Sequence, residues 1–200
     1  MRNIGIFLVA LMLCVGRSGL VLAADETVLL NEVKKITSEK IVKWAKDPLV
    51  VAAVKEANKT ASRTNDEIAA LDKKWMDAGE PDAWVDGYSA NPTAVFLKAF
   101  QAVKEGQKTL FPEIFVMDRQ GCIVGETNRT SDFLQGDEDK FVRSYAGGKG
   151  EVFIDKMEFD ESSRTYSIQV SVPVMDPEDG NAIGALTVSI DLDALGERLL

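Results

Sequence analysis

Residues 165–191 read TYSIQVSVPVMDPEDGNAIGALTVSID, and this stretch decides the fold class. Tyr166, Ile168, Val170, Val172 and Val174 alternate with Thr165, Ser167, Gln169, Ser171 and Pro173, so a strand here has one apolar face and one small, polar face. Beyond a turn at residues 176–181, Leu186, Val188 and Ile190 alternate in the same way with Ala185, Thr187, Ser189 and Asp191. Paired as a hairpin, strands over 165–174 and 182–191 merge their polar residues into one patch. A solvent-facing sheet surface is the ordinary fate of such a patch. Short hydroxyls and one amide, in place of the usual Lys and Glu, suit a covered, ligand-facing wall equally well.

Working outward, residues 113–118 (EIFVMD) and 122–127 (CIVGET) flank Arg119-Gln120-Gly121 and read as a β-hairpin. Residues 151–159 supply a further strand. Between it and the hairpin lies TSDFLQGDEDKFVRSY, residues 130–145, far longer than a turn requires and carrying the aromatics Phe133, Phe141 and Tyr145. Such a connection is expected to be functional, here a lid over a small-molecule site. Asp137 and Glu138 also suit the first turn of a short helix running through Phe141 and Tyr145.

The first half is helical. Leu30, Val33, Ile36, Ile41 and Trp44 recur at near-helical spacing, predicting a long amphipathic helix that ends near Asp47. Asp47-Pro48 restarts a helix with Val50, Val51 and Val54 as its buried side. Thr64 and Glu67 form a capping box for a third, with Ile68, Leu71 and Trp75 inward and Gly79 and Pro81 closing it. Asn91-Pro92 opens a fourth, with Phe96, Phe100 and Val103 on one face and Gly106 as C-cap. Helices over 24–110 followed by five antiparallel strands over 113–191 make one α+β domain, residues 24–200.

Composition narrows the function. Of 200 residues, 46% are apolar, enough to bury a core, and none is histidine. Histidine-based triads and histidine-containing zinc sites are thereby excluded. Cys14 and Cys122 show no pairing or metal spacing, and no cofactor is indicated. Residues 1–23 read as a signal peptide: Arg2 gives a positive start, an apolar run follows, and cleavage is expected near Ala23, placing the mature chain in the periplasm or extracellular space with no membrane span. An uncleaved anchor is the alternative. Cleavage removes two arginines and no acid, taking the formal charge from -9 to -11 and arguing against nucleic acid as a partner. Asn58-Lys59-Thr60 and Asn128-Arg129-Thr130 match the glycosylation pattern, which an export signal alone does not make operative.

The long N-terminal helix, IAALDKKW at 68–75, FVMDRQGCIVGETNRTSDFLQGDEDKF at 115–141 and FDESSRTYSIQVSVPVMDPEDGNAIGALTVSIDLDAL at 159–195 together resemble a Cache domain. This is the PAS-like extracytoplasmic sensor module also called PDC, here in a single-module, standalone form. The resemblance implies a five-stranded antiparallel sheet, the long helix on one face, and the connection between strands two and three folded over the other to make a pocket. It also implies binding of a small metabolite, with occupancy passed to a receptor or sensor kinase. The sequence GDEDKF at 136–141 stands where amino-acid-binding double modules carry an Arg-x-Trp-Tyr arrangement, so an amino-acid ligand is not indicated.

The candidate ligand-binding residues are Asp132, Phe133, Gln135, Asp137 and Phe141 from the lid, and Ser167, Gln169, Ser171, Thr187, Ser189 and Asp191 from the sheet. Lid acids facing a pocket would prefer a cationic or amide ligand. Arg129, Lys140 and Arg143 suit a carboxylate ligand or surface pairing with those acids. The acidic turn at 176–181 lacks the register of a calcium loop, and no metal site is expected. Cys122 reads as a small core side chain with no histidine to activate it. The expectation is a non-enzymatic, exported, small-molecule-binding sensor domain. The alternatives are an exported structural or protein-interaction domain, or a hydrolase using paired carboxylates such as Asp132 with Asp191.

Overall fold

The computed structural model describes residues 26–102, 104–105, 108–160 and 165–199. The expected signal peptide, Cys14, Val103 and Gly106 lie outside them. Helix α1 (Glu26–Ile36) runs through a π-helical turn (Thr37–Ile41) into α2 (Val42–Ala45), so the long first helix is one continuous run. At the start of the wide turn the Thr37 hydroxyl donates to the Val33 carbonyl at 2.7 Å, a local bond that competes with the regular helical ladder. Asp47 caps α3 (Pro48–Thr60) by accepting from the Leu49 amide. The Thr64–Glu67 capping box opens α4 (Asn65–Asp77) as expected. A helix that the sequence pattern does not reveal follows: α5 (Ala83–Ala90), capped by Asp82, whose carboxylate accepts from Trp84 and Val85. Its eight residues, with Gly87 inside and Pro81 just ahead, show little helical periodicity. Asn91 then caps α6 (Pro92–Gln101). The buried face of α6 centres on Thr93, Ala94 and Leu97, while Phe96 and Phe100 are partly buried at its side and Phe100 stacks on Trp44 at 4.2 Å.

A two-stranded ribbon, β1 (Lys104–Glu105) with β2 (Lys108–Thr109), precedes the main sheet. That sheet comprises β3 (Ile114–Met117), β4 (Ile123–Glu126), β5 (Phe153–Asp160), β6 (Thr165–Met175) and β7 (Ala182–Asp191). All pairings are antiparallel in the order β4-β3-β7-β6-β5. Between β4 and β5 lie α7 (Asp139–Tyr145) and a 3-10 turn (Ala146–Gly148), and α8 (Leu192–Leu199) ends the described chain. The protein is therefore α+β, with a five-stranded antiparallel sheet, an N-terminal helix on one face and the connection between the second and third sheet strands over the other.

Side-chain alternation sorts the sheet into two cores. Ile168, Val170, Val172 and Val174 of β6, with Leu186, Val188 and Ile190 of β7, pack with Val33, Ile36, Ile41, Val50 and Val54 of the N-terminal helices and with Leu195 of α8. The opposite face is not uniformly polar, as the alternation in β6 and β7 taken alone suggests. Phe115, Met117 and Ala185 form an apolar half there, closed by Trp75 of α4, Val85 of α5, Phe133 and Phe141. Each buried aliphatic side chain contributes about 1.5–3 kcal/mol relative to exposure. Leu186→Ala, fully buried in the first core, is expected to lower the unfolding free energy by about 2–5 kcal/mol in denaturant titration. Val95→Ala, on the exposed side of α6, is expected to change it by less than about 0.5 kcal/mol.

Candidate functional site

The lid is anchored first by the β3–β4 turn. Asp118, buried at the end of β3, accepts from the amides of Gln120 and Cys122 and pairs with Arg63 at 3.2 Å. This turn carries Gly121 at φ 77°, and a Cβ there would stand 2.2 Å from the Cα of Gly136. The chain can cross the turn only because both positions are glycine. At the crossing, Gln135 N–H donates to the Gly121 carbonyl at 2.8 Å and Ile123 N–H to the Phe133 carbonyl at 3.1 Å.

Helix α4 grips the same segment from the other side. Asp72 accepts from the amides of Phe133 and Leu134 at 2.8 and 2.9 Å, and the Trp75 indole donates to the Thr130 carbonyl at 2.9 Å. Phe133 completes an aromatic cluster with Trp75, Trp84 and Tyr88, with ring centroids 5.4 to 5.8 Å apart. Phe141 is buried in the second core and stacks on Tyr145 at 5.1 Å. The Gln135 side-chain amide turns back onto the Asp132 carboxylate and carbonyl. Asp137 is exposed ahead of α7.

The polar residues of the sheet divide. The Ser171 and Thr187 hydroxyls, cross-strand neighbours, are fully buried and bonded to each other at 2.8 Å. The buried Asp191 carboxylate caps α8 by accepting from Ala194 at 2.8 Å. Asp132 and Asp191 are thus held in separate local structures. Ser167, Gln169 and Ser189, by contrast, share the wall of a cleft of about 680 Å³.

A fault in the β5–β6 register builds the rest of that wall. Ile154 faces Val170 and Met157 faces Ile168, so Asp155 and Lys156 together oppose Gln169 alone. Such a bulge redirects side chains at a sheet edge, and it brings Asp155 and Lys156 into the cleft beside Glu158 and Phe159. Across from β5, Ser189 N–H donates to the Glu113 carbonyl and brings Glu113 into the lining. Glu138 and Lys140 enter from the start of α7, Asn128 and Arg129 from the root of the lid. No residue of β5 is among the candidates that the sequence offers, and the signal is faint: the bulge is a pairing property, absent from the local pattern of either strand.

The charges of the cleft are largely matched. Lys140, with its side chain mostly buried, pairs with Glu138 at 3.0 Å and lies over the Phe115 ring; Lys156 pairs with Glu158 at 2.8 Å. Arg129 closes the C-terminal end of α4 by donating to the carbonyls of Trp75 and Ala78. With Glu113 and Asp155 included, the lining is mixed in sign with a small acidic excess. Such a wall suits a small, polar, neutral or cationic molecule.

Several other sequence features have structural work. Burial, then the Asp118 carboxylate, pushes the Cys122 thiol up to about 12, so it carries no thiolate near neutral pH. Asn58 donates to the Ile183 carbonyl and accepts from the Arg119 amide. The acidic turn after β6 is a tight hairpin with Gly180 at φ 74°, and Lys55 bridges its Asp176 and Glu178. Among the described residues no helix is long and apolar enough to cross a membrane.

Glu126 also escapes a reading of the sequence. Its carboxyl, fully buried at the end of β4, meets the Thr130 amide at 3.0 Å and hydroxyl at 3.1 Å, and the Ser89 hydroxyl of α5 at 3.1 Å. Burial pushes it up to about 7 against the pull of those donors.

No family model and no curated protein matches the chain. Among solved structures it is similar to the ligand-binding domain of the Pseudomonas aeruginosa amino acid chemoreceptor PctC in complex with GABA, at 12% identity and TM-score 0.36, covering 86% of this chain and 63% of that one. It is also similar to the sensor domain of the V. cholerae histidine kinase DctB, at 16% identity and TM-score 0.36, covering 86% and 60%. A third is the sensory domain of the Campylobacter jejuni chemoreceptor Tlp3, at 14% identity and TM-score 0.34, covering 82% and 63%. The chain spans less than two thirds of the length of each.

Glu126 makes stability depend on pH with a definite sign. The folded protein holds this proton more tightly than the unfolded chain, so its contribution is complete below about pH 4.5 and is lost as pH rises through about 7. Urea titrations of Glu126→Gln against the parent are expected to show the parent losing up to about 3 kcal/mol more across that window. Parallel pH profiles for the two proteins would contradict the assignment.

Proposed function

We propose that residues 24–200 form an exported sensor domain that binds a small polar metabolite in the cleft between β5–β7 and α7. Residues 1–23 direct export and are cleaved near Ala23, and occupancy is presented to a separate receptor or sensor kinase. The observation that carries this reading is the β-bulge opposite Gln169. It turns two charged side chains of β5 toward an amide and two hydroxyls on β6 and β7, on a face where the neighbouring half of the sheet is sealed by apolar packing.

Binding, in place of catalysis, is supported by the chemistry of the lining. The chain has no histidine, its buried thiol stands outside the cleft, and two of the cleft's acids are paired with lysines. The buried Ser171–Thr187 pair and the α8 cap at Asp191 support the sheet behind the wall. Asp132, Phe133, Gln135 and Phe141 hold the lid in place, and in this reading they act on the ligand through Asn128, Arg129, Glu138 and Lys140.

The test is a thermal-shift screen of amines, amides, polyols and carboxylates. A ligand at a hundred times its Kd adds about 2.7 kcal/mol, an upward shift of about 5–10 °C for a domain of this size. One chemical class is expected to give that shift, and Gln169→Ala to weaken its binding at least about tenfold with little change in the unliganded melting temperature. No stabilisation by any class, with an intact fold, would favour an exported protein-interaction domain.

A further inference from the structure

The pairings of the sheet set one line of side chains across the cleft. Ser189 on β7 stands opposite Gln169 on β6, and Gln169 stands opposite the Asp155–Lys156 bulge on β5. On the other side Ile114 pairs with Val188, so Glu113, just ahead of β3, comes next to Ser189, where its carbonyl accepts from the Ser189 amide. The line reads Glu113, Ser189, Gln169, Asp155, and every member lines the cleft. A carboxylate stands at each end and neutral groups lie between.

Those neutral groups have no partners within the protein. Ser189 is 7% exposed, and among the described residues neither its hydroxyl nor the half-buried Gln169 amide bonds to another protein group. Polar side chains so enclosed are completed by water or by a ligand. The hydroxyl oxygen and the amide carbonyl oxygen both accept from an N–H.

The positive side chains of the cleft are committed elsewhere. Lys156 pairs with Glu158, Lys140 pairs with Glu138 and lies over Phe115, and Arg129 donates to the Trp75 and Ala78 carbonyls. Among the described residues no ion pair holds Asp155, whose carboxylate accepts from the Lys156 amide. Glu113, as a carboxylate, has acceptor sites for more than one donor.

The separation of the two acids sets the length of a molecule that reaches both. β3, β7, β6 and β5 are consecutive in the sheet, so three strand spacings, about 14 Å, separate the outer backbones. With an ammonium–carboxylate contact of about 2.8 Å at each end, about 8–9 Å remains between two nitrogens, the reach of an extended diamine of roughly six carbons.

We propose that the cleft takes a linear di- or polyamine lying across the strands, one terminal ammonium on Glu113, the other on Asp155, and the middle of the chain over Ser189 and Gln169. This assignment rests on the sensor reading and names the chemical class that its cleft binds. A dicarboxylate of the same length would meet an acid at either end.

Isothermal titration calorimetry of the full chain tests it, with ethylenediamine, putrescine, cadaverine, hexamethylenediamine and spermidine, and with butylamine as the single-ended control. Affinity is expected to rise along the diamines toward cadaverine and hexamethylenediamine, to at least about tenfold above butylamine. Glu113→Gln and Asp155→Asn are each expected to weaken diamine binding about tenfold and bring it level with butylamine. Glu56→Gln, on the exposed side of α3, is expected to leave it unchanged. Binding that does not distinguish diamines from butylamine, or that falls equally in Glu56→Gln, would reduce the effect to the negative charge of the whole chain and overturn the proposal. A response to carboxylates, amides or polyols alone would overturn it and leave the sensor reading standing, whereas no response to any class would remove both. Should either variant fail to fold, the diamine series on the parent decides it.

Discussion

The β6–β7 hairpin must bury both of its faces, and the rest of the molecule is arranged around that constraint. Its nine-pair register sets Val170 against Val188 and Val172 against Leu186 on the side of the N-terminal helices. On the other side it sets Gln169 against Ser189 and Ser171 against Thr187. A slip of one residue would exchange these faces, placing hydroxyls against Val33 and Ile36 and valines against the cleft. The alternation therefore specifies the register as well as the fold, and helices α1 to α3 and α6 collect on the apolar side because it is the larger hydrophobic surface.

The second face solves a different problem, since apolar and polar residues share it. Toward β3 it presents Phe115, Met117 and Ala185, and the chain seals these with α4, α5 and an aromatic cluster centred on Trp75 and Phe133. Toward β5 it presents Gln169, Ser189 and the bulge, and these are left as the wall of a cleft. The lid connects the two halves: Gly121 and Gly136 let it cross the β3–β4 turn at contact distance, and Asp72 satisfies two of its amides. Long polar connections lose their entropy only where such partners are in place.

Buried polar groups mark the mechanical junctions of this architecture. Asp118 orders the turn, Asp191 starts α8 and Glu126 joins β4 to α5 and to the lid root. Each is a carboxyl supplied with neighbouring donors, as a group removed from water must be. Glu126 differs from Asp118 in its partners: Asp118 has Arg63, whereas Glu126 meets neutral amides and hydroxyls, and its burial raises its affinity for a proton.

The α+β class, the five strands, the caps at Asp47, Thr64 and Asn91, and the polar face of β6 and β7 are all legible in the amino-acid order. They are properties of local period and of side chains that bond within a few residues. Asp137 and Glu138 mark the approach to a short helix for the same reason. Which polar residues meet is settled only when the chain has folded. Ser171, Thr187 and Asp191 share a face with Ser189 in sequence yet bond within the protein, and Phe133 and Gln135 turn toward α4 and the β3–β4 turn. Asp155 and Lys156 reach the cleft through a bulge that exists only when two strands pair. Side-chain alternation fixes the face a residue occupies, while the groups that cover that face come from distant chain segments, and no local pattern records their arrival.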